Sequence, residues 1–346
     1  MLSAAPEKLA VTVLTGFLGS GKTTLLQKAL RSPGMADTAV IINEAGEMGL
    51  DHLLVEAVEE QAFQMPGGCL CCIRRLDIAT TIRRLIEQRD RGEIAMFRRL
   101  VIETSGLADP APILYTLAAD PMLGHVLAFQ GVVTLVDALA GLGTIERHPE
   151  ASAQVAVADR ILLTKTDVAQ PGSALLGRLD GLNAWADRRM LPGGDEPAAL
   201  LFDGLSSTAA RRFAAQPVTE GGPAHTAGIR TLSLVLTRPP TRFDFARALG
   251  GLATRRGEDL LRAKGLIAFS DRPDGIAVIH AVQHTIYRPQ WLDAWPDADR
   301  RSRLVFIVRD IEPDEILACL AAFAPVAWTP VPGDTAKIGS SLTAAA

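Results

Sequence analysis

Residues 9–24 have the sequence LAVTVLTGFLGSGKTT, and this stretch decides the fold class. Its first part, Leu9 to Thr15, is a near-continuous apolar run, which is typical of a strand buried on both faces of a parallel sheet. Its second part, Gly16 to Thr23, matches G-x-x-x-x-G-K-[ST] and leads into a helix that we predict from Lys22 to Arg31. This order predicts a P-loop in an α/β domain with a doubly wound, mostly parallel sheet.

The glycine-rich turn predicts a phosphate site. Glycines let backbone N–H groups turn inward around an anion, and the following helix directs its positive end at the same place. We expect Lys22 to contact the β- and γ-phosphates and the Thr23 hydroxyl to bind Mg²⁺. The alternative is a glycine-rich turn with a chance lysine. The predicted nucleotide-binding residues of this turn are Gly16, Gly19, Ser20, Gly21, Lys22, Thr23 and Thr24.

A second apolar strand, predicted from Arg99 to Ile102, ends in Glu103 and is followed by Gly106. A carboxylate there can hold Mg²⁺ or its water, and the Gly106 N–H can contact a γ-phosphate. The predicted catalytic residues are Lys22, Thr23, Glu103 and Gly106. No water-positioning glutamine or arginine finger is evident in the sequence, so we expect slow intrinsic turnover.

A third predicted strand, Arg160 to Leu163, leads into Thr164-Lys165-Thr166-Asp167. One carboxylate, that of Asp167, can accept from both N1–H and the N2 amine of guanine, whereas adenine would leave it unsatisfied. The stem of Lys165 can cover the base plane. Thr164 stands where GTPases more often carry Asn, which predicts weaker affinity with the guanine preference retained. The alternative is a solvated strand end.

Three thiols crowd into one short stretch at Cys69, Cys71 and Cys72. Zinc and cobalt accept thiolate ligands, and three ligands leave an open coordination position that suits binding with release. A redox pair or small-residue packing are the alternatives. Glu44 and Glu47 are further candidate metal ligands. The cysteine cluster lies in the sequence between the 43–47 stretch and the strand that ends in Glu103. In P-loop GTPases these two regions respond to the γ-phosphate, which predicts coupling of metal affinity to nucleotide state.

The remaining cysteine and a histidine pair carry weaker signals. Cys319 sits in a predicted amphipathic helix and is expected to be buried core. His280 and His284 would stand about 13 Å apart in a strand, too far to share one metal unless a turn falls between them. We expect them to be surface or partner-facing residues.

Length and composition bound the rest. With 346 residues, two domains are expected, and a net charge of −4 argues against a nucleic-acid partner. Neither a membrane span nor an apolar signal core is evident, which predicts a cytoplasmic protein. Turn-forming and linker-like sequence suggests four segments: a P-loop GTPase domain (1–206), a linker (207–227), a smaller α+β domain on a largely antiparallel sheet (228–330) and a flexible tail (331–346).

Together these residues resemble the CobW family of metallochaperone GTPases, kin to UreG and HypB, and most closely its YjiA-type members. The matching stretches are 15–24, 43–47, 68–72, 103–110, 136–138 and 164–167 in the first domain and 261–265 in the second. The resemblance implies bound GTP or GDP, hydrolysis with Mg²⁺, Zn²⁺ or Co²⁺ at the cysteines, and delivery to a client metalloprotein. A homodimer is a candidate assembly. Ala45 replaces the usual Phe of the N-E-F-G-E element, and the His-rich run of some relatives is absent.

Two rival functions remain open at this point. The chain could be a non-catalytic metal sensor or buffer that uses nucleotide only as a structural ligand. It could also be a P-loop kinase acting on a small molecule, but no acceptor-site base is evident in the sequence. Measured GTP turnover, with and without zinc, separates the first of these from a GTPase.

Overall fold

A computed structural model describes residues 8–43, 63–64, 70–74, 77–205, 228–236, 238–296, 298, 300–321 and 328–330, with only the backbone at 63–64, 70–74 and 328–330. The predicted linker (207–227) and tail (331–346) lie outside these residues, as do Glu44, Glu47 and Cys69. Contacts divide the chain into two compact units. One comprises Met1–Leu175 and Ala186–Ser206, and the other comprises Leu176–Trp185 and Ser207–Ala346.

The first unit is built on an eight-stranded sheet. Its strands are β1 (Leu9–Gly16), β2 (Thr38–Asn43), β3 (Phe63–Gln64), β4 (Leu70–Arg74), β5 (Arg99–Thr104), β6 (Leu127–Asp137), β7 (Arg160–Thr164) and β8 (Asp187–Met190). They lie in the order β3-β4-β2-β5-β1-β6-β7-β8. Every neighbouring pair is parallel except β3–β4, which is antiparallel at the edge. The predicted doubly wound, mostly parallel sheet is therefore confirmed.

Helices connect these strands. They are α1 (Lys22–Leu30), α2 (Ile78–Asp90), α3 (Ala111–Ala119), α4 (Pro121–Val126), α5 (Gly141–Arg147), α6 (Pro149–Ala156), α7 (Ser173–Asn183) and α8 (Pro197–Phe202), with a 3₁₀ turn at Pro33–Met35. α7 spans the division between the two units. Strand β1 lies at the centre of the sheet because its side chains are buried on both faces, including Val13 and Leu14 at 0% exposure. Leu26 and Ala29 of α1 pack into the same core.

One predicted element is wrong at its beginning. The apolar spacing from Ile73 to Arg91 predicts a single helix, but Ile73 lies in β4, and α2 begins only at Ile78. Asp77 caps this helix, because its carboxylate accepts a hydrogen bond from the Ala79 N–H at 3.1 Å. A short apolar run fits a buried strand as well as a helix, so periodicity alone did not separate them.

The second unit is an antiparallel sheet packed on helices, as the sequence predicts. Its strands are β9 (Ile229–Leu236), β10 (Arg262–Phe269), β11 (Arg272–Val282), β12 (Thr285–Ile286), β13 (Gln290–Leu292), β14 (Arg303–Arg309) and β15 (Trp328–Pro330). The order is β12-β11-β10-β14-β9-β15, with β13 paired to β11. Helices α9 (Arg242–Arg256) and α10 (Pro313–Ala321) cover one face, where Phe245 and Ile316 pack in one core with Leu234 and Phe306.

Two smaller predictions concern this second unit. A turn does fall between His280 and His284, and the two rings have separate neighbours. The His280 ring stacks on Tyr287 with centroids 5.0 Å apart, and His284 Nδ1 lies 2.9 Å from the Ala253 carbonyl oxygen. The side chain of Cys319 lies outside the description. Across the described part of the chain, no helix combines the length and apolar character needed to cross a membrane.

Candidate nucleotide-binding site

The predicted site residues meet at one edge of the first sheet, where the carboxyl ends of its central parallel strands lie together. Strand β1 runs between β5 and β6, and β7 follows β6. In register, Leu14 pairs with Glu103, Gly16 with Leu135, and Thr164 with Asp137. Ligands of open α/β sheets bind outside this edge. The fold therefore brings the P-loop, the Glu103 strand end and the Thr164-Lys165-Thr166-Asp167 segment to one place.

The P-loop has the backbone that its glycines permit. Gly16, Gly19 and Gly21 have φ angles of 142°, 72° and 96°. A Cβ on Gly16 would lie 2.6 Å from the Leu135 carbonyl oxygen, so no larger residue fits there. Gly21 caps α1, and as a glycine it has no side chain that could bond to the first N–H groups of the helix. The first N–H groups of α1 are thus suited to a phosphate, as at other helix N-termini.

Lys22 is folded back over the loop that holds it. Its ammonium donates to the Gly16 carbonyl at 2.7 Å and to the Phe17 carbonyl at 3.4 Å, and the side chain is largely buried. These carbonyls keep the positive charge at the mouth of the loop. A phosphate bound in the loop would meet this charge directly, as a P-loop lysine requires.

Two oxygen atoms that could bind a cation lie close together beside the loop. The Thr23 hydroxyl lies 3.5 Å from Glu103 Oε1, and Glu103 is only 5% exposed at the end of β5. The next residue, Thr104, is anchored to β1 because its hydroxyl donates to the Thr15 hydroxyl at 2.7 Å. A hydroxyl and a carboxylate at this separation form a donor set of the hard-oxygen type that Mg²⁺ prefers, so the residues fit this ion.

The segment after β5 packs directly on the P-loop. A Cβ on Gly106 would lie 2.7 Å from Leu18 Cδ2 and 2.8 Å from the Leu18 backbone nitrogen. On its other side the segment is held by Gln154, whose side-chain amide donates to the Gly106 carbonyl at 3.1 Å and to the Ala108 carbonyl at 3.0 Å. Gly106 therefore sits between the P-loop and α6 with no space for a side chain.

Thr164 connects the predicted guanine-binding segment to the P-loop. Its hydroxyl lies 2.8 Å from the Ser20 carbonyl oxygen, to which it donates, and 3.4 Å from the Val136 carbonyl oxygen. Its methyl carbon lies 3.7 Å from where a Cβ on Gly21 would be. The threonine that replaces the commoner asparagine therefore keeps a hydrogen bond between the two halves of the site.

Lys165 is held in place by Asp137, the carboxylate at the end of β6. Its φ of 58° is unusual for a residue with a side chain, and its ammonium lies 2.5 Å from Asp137 Oδ2. Asp137 Oδ1 accepts from the N–H groups of Leu139 and Ala140 at 2.8 and 3.2 Å. Burial raises the pKa of Asp137, but the hydrogen bonds and the charge of Lys165 outweigh it, so the pKa is lowered overall.

Asp167, the predicted guanine-selective residue, is exposed at the same edge. The turn that presents it is tied to the strand end beyond it, because the Thr166 hydroxyl and N–H both donate to the Leu191 carbonyl, at 2.8 and 3.0 Å. Val168 N–H also donates to the Lys165 carbonyl at 3.0 Å. An exposed carboxylate on a turn with these anchors can accept from a base without a large backbone movement.

The described backbone of the cysteine segment is a strand. In β4, Cys71 pairs with Val40 of β2, and Cys72 pairs with Ile41, which in turn pairs with Ile102 of β5. Ile102 directly precedes Glu103. At about 4.8 Å per strand, the backbone of Cys72 lies about 10 Å from that of Ile102. Because Cys69 and the side chains of Cys71 and Cys72 are outside the description, their assignment as metal ligands stays a prediction.

Two residues of this site were given no role from the sequence. Asp137 lies in the stretch 136–138 that resembles the family, and it ends an apolar strand as Glu103 does, which was sufficient to nominate it as a site residue. Gln154 carried no signal, because it is a polar residue in a helix and its partners lie 46 and 48 positions away in the chain. Buried amides of this kind become visible only when hydrogen-bond partners are assigned.

Comparisons with known proteins agree with this geometry. A family model described as CobW/HypB/UreG, nucleotide-binding domain, matches residues 10–186, and one described as Cobalamin synthesis protein cobW C-terminal domain matches residues 229–324. Zinc chaperone YjiA of Escherichia coli (strain K12) is 34% identical over 322 residues, which cover 90% of this chain and 98% of that protein. Zinc chaperone CobW of Pseudomonas aeruginosa is 33% identical over 213 residues, 56% of this chain and 55% of that protein.

A solved structure extends the match to three dimensions. The Zn(II)-bound YjiA GTPase from Escherichia coli superposes with a TM-score of 0.71 at 34% identity, covering 91% of this chain and 99% of that one. The resemblance to the CobW family is thereby confirmed over both units. A P-loop edge with this geometry, followed by a CobW-type C-terminal region, places the chain within one group: it belongs to the CobW/HypB/UreG family.

Proposed function

We propose that this chain is a GTPase that hydrolyses GTP to GDP and phosphate with Mg²⁺ and couples this reaction to carrying zinc, or cobalt, to a client metalloprotein. The observation that carries the proposal is the single sheet edge at which Lys22, the Thr23–Glu103 pair and the Lys165–Asp137 pair converge. The names of the relatives support it, since one is a zinc chaperone and its structure is a zinc-bound GTPase.

The nucleotide roles follow from the local contacts. Lys22 exchanges its carbonyl partners for phosphate oxygens, and the N-terminal N–H groups of α1 donate to the same phosphates. Thr23 and Glu103 would hold Mg²⁺, directly or through its water, and the bound ion would supply positive charge beside the phosphates. At the other end, Asp167 accepts from guanine while the stem of Lys165, fixed by Asp137, covers the base.

The metal role rests on the predicted thiolates of Cys69, Cys71 and Cys72. Zinc or cobalt bound there is cargo, and a three-thiolate site leaves a position open for a ligand from the client. Strand pairing connects Cys72 of β4 to Ile41 of β2, and Ile41 to Ile102 of β5, the residue before Glu103. Glu103 is therefore two strands away from the proposed cargo site. A change in its position when the γ-phosphate is lost has a short physical route to the metal, which would couple nucleotide state to metal affinity.

The first test concerns nucleotide choice. Purified chain is titrated with GTP and with ATP in the presence of Mg²⁺. We expect at least about 100-fold weaker ATP binding, because Asp167 would face adenine without a partner. Asp167→Asn should reduce this preference. Equal affinity for the two nucleotides would remove the role given to Asp167 and favour a general P-loop enzyme.

The second test concerns the cargo. Bound zinc is measured for wild type and Cys71→Ser, each with GDP or a non-hydrolysable GTP analogue, with Cys319→Ser as the matched loss of a thiol elsewhere. We expect zinc affinity to depend on the nucleotide in wild type and in Cys319→Ser, and to fall in Cys71→Ser. If zinc does not change GTP turnover and the nucleotide does not change zinc affinity, the proposed coupling is wrong, and a metal sensor or buffer becomes the better hypothesis.

A further inference from the structure

Gln154 is a buried amide that joins three parts of the nucleotide site. It lies in α6 and is 1% exposed. Both protons of its side-chain amide have acceptors in the segment after β5, because the amide nitrogen donates to the Gly106 carbonyl at 3.1 Å and to the Ala108 carbonyl at 3.0 Å. Its own backbone carbonyl accepts the hydroxyl of Thr134, in β6, at 2.8 Å.

These contacts continue into the strands that carry the P-loop. Thr134 pairs in register with Thr15 of β1, the residue before Gly16. The hydroxyl of Thr15 in turn accepts from Thr104 at the end of β5. The Gln154 side chain is therefore bonded directly to the 105–108 segment, and its backbone carbonyl is linked through the Thr134 hydroxyl and strand pairing to β1 and then to β5.

The segment is held from two sides. Gly106 contacts Leu18 of the P-loop so closely that a Cβ would lie 2.7 Å from Leu18 Cδ2, and the Gln154 amide holds its carbonyl from the other side. A turn from Ser105 adds to this, since the Ala108 N–H donates to the Ser105 carbonyl at 3.1 Å. Without the Gln154 amide, the Gly106 and Ala108 carbonyls would lose these two donors, and the contact with Leu18 and the turn from Ser105 would remain.

We propose that Gln154 is a positioning residue that holds Gly106 where its N–H can contact the terminal phosphate of a nucleoside triphosphate. This rests on the proposed GTPase function and names the residue that sets its response to the γ-phosphate. Gln154 acts through Gly106 and does not touch the nucleotide. Because GDP lacks the phosphate in question, Gln154 distinguishes triphosphate from diphosphate and contributes little to the affinity for GDP.

The test compares two affinities in one variant. Gln154→Met keeps an unbranched side chain of similar volume and removes both donors. We measure binding of GDP and of a non-hydrolysable GTP analogue, with Mg²⁺, by equilibrium fluorescence. Loss of two hydrogen bonds should raise the ratio of analogue Kd to GDP Kd by about 10- to 100-fold, while the GDP Kd stays within about twofold.

A matched control uses another glutamine near the same sheet. The Gln130 side-chain amide donates to the Ala128 carbonyl at 3.3 Å in β6, away from the carboxyl edge. Gln130→Met should leave the Kd ratio unchanged. Gln154→Glu is the second variant, because it preserves shape but replaces the donating nitrogen by a carboxylate oxygen that faces the same two carbonyls, and it should raise the ratio at least as much.

The outcomes separate the two levels of the proposal. Wild type that binds neither guanine nucleotide would overturn the proposed function itself. Wild type that binds and hydrolyses GTP, together with Gln154 variants that weaken GDP and analogue equally or not at all, would overturn the positioning role alone. A merely structural amide would lower the melting temperature of the variants without changing the Kd ratio. Should Gln154→Met not fold, the ratio measured on Gln154→Glu decides.

Discussion

Replacing Gly106 by alanine tests the close contact between the P-loop and the segment after β5. The added carbon would lie 2.7 Å from Leu18 Cδ2, 2.8 Å from the Leu18 nitrogen and 3.0 Å from Leu18 Cα, where ordinary contacts begin at 3.4 Å. A rotamer change can move Cδ2 but not the nitrogen or Cα. The two backbone segments must therefore separate by about 0.4–0.6 Å.

This shift acts on the chemical step. A misplacement of about 1 Å in a catalytic group costs about 100-fold in rate, so a shift of about half that size predicts a fall in kcat of about 10-fold. GDP binding should weaken by no more than about fivefold, the loss of one hydrogen bond. Phosphate release is measured at saturating GTP and Mg²⁺, and GDP binding is measured at equilibrium.

Two further variants test whether the loss of turnover comes from this contact. Gly250→Ala adds the same carbon in α9, where it would meet nothing within 4 Å, and should leave turnover unchanged while stabilising the helix by about 0.5–1 kcal/mol. Adding Leu18→Ala to Gly106→Ala removes only the Cδ2 contact, so kcat should recover only in small part. Wild-type turnover in Gly106→Ala, or full recovery in the double variant, would refute this account of the contact.

Three other predictions follow from single contacts. Thr164→Val keeps the shape but leaves the Ser20 carbonyl without its donor at 2.8 Å, so affinity for GTP and GDP should fall together by about 5- to 100-fold; an unchanged Kd would show that this hydrogen bond does not link the two halves of the site. Arg160→Met removes a largely buried guanidinium that contacts Asp187 at 3.1 Å and the Leu200 and Asp203 carbonyls. The free energy of unfolding measured in urea should fall by about 3–5 kcal/mol, and Arg189, which also contacts Asp187, should reduce this loss. The folded pKa of Asp137 is lowered, so its stabilising contribution is fully present above the ordinary value of 3.8 and is lost as pH falls through the lowered value. The stability difference between wild type and Asp137→Asn should therefore be constant from about pH 8 to 5 and shrink below about pH 4, and a difference that already shrinks near pH 6 would contradict the assigned shift.

Predictions from sequence succeeded where a structure is made by neighbouring residues. The P-loop at 16–23 was identified because a buried strand, a glycine-rich turn and a helix are contiguous and each has a local signature. The mostly parallel sheet followed from apolar strands alternating with helices. The start of α2 was wrong because the apolar residues near Ile73 fit a buried strand and a helix equally well, and only the partner strand β2 decides between them.

Sequence by itself determined the fold class and nominated the chemical groups that we propose for the site: a lysine and glycines for phosphate, a hydroxyl and a carboxylate for Mg²⁺, and a carboxylate for guanine. Only the tertiary structure decided which distant residues hold these groups. Thr164 reaches the Ser20 carbonyl across 144 positions, and the Gln154 amide reaches the Gly106 carbonyl across 48. The physical reason is that a hydrogen bond depends on separations of about 3 Å in space, whereas spacing along the chain constrains geometry only within one helix or strand.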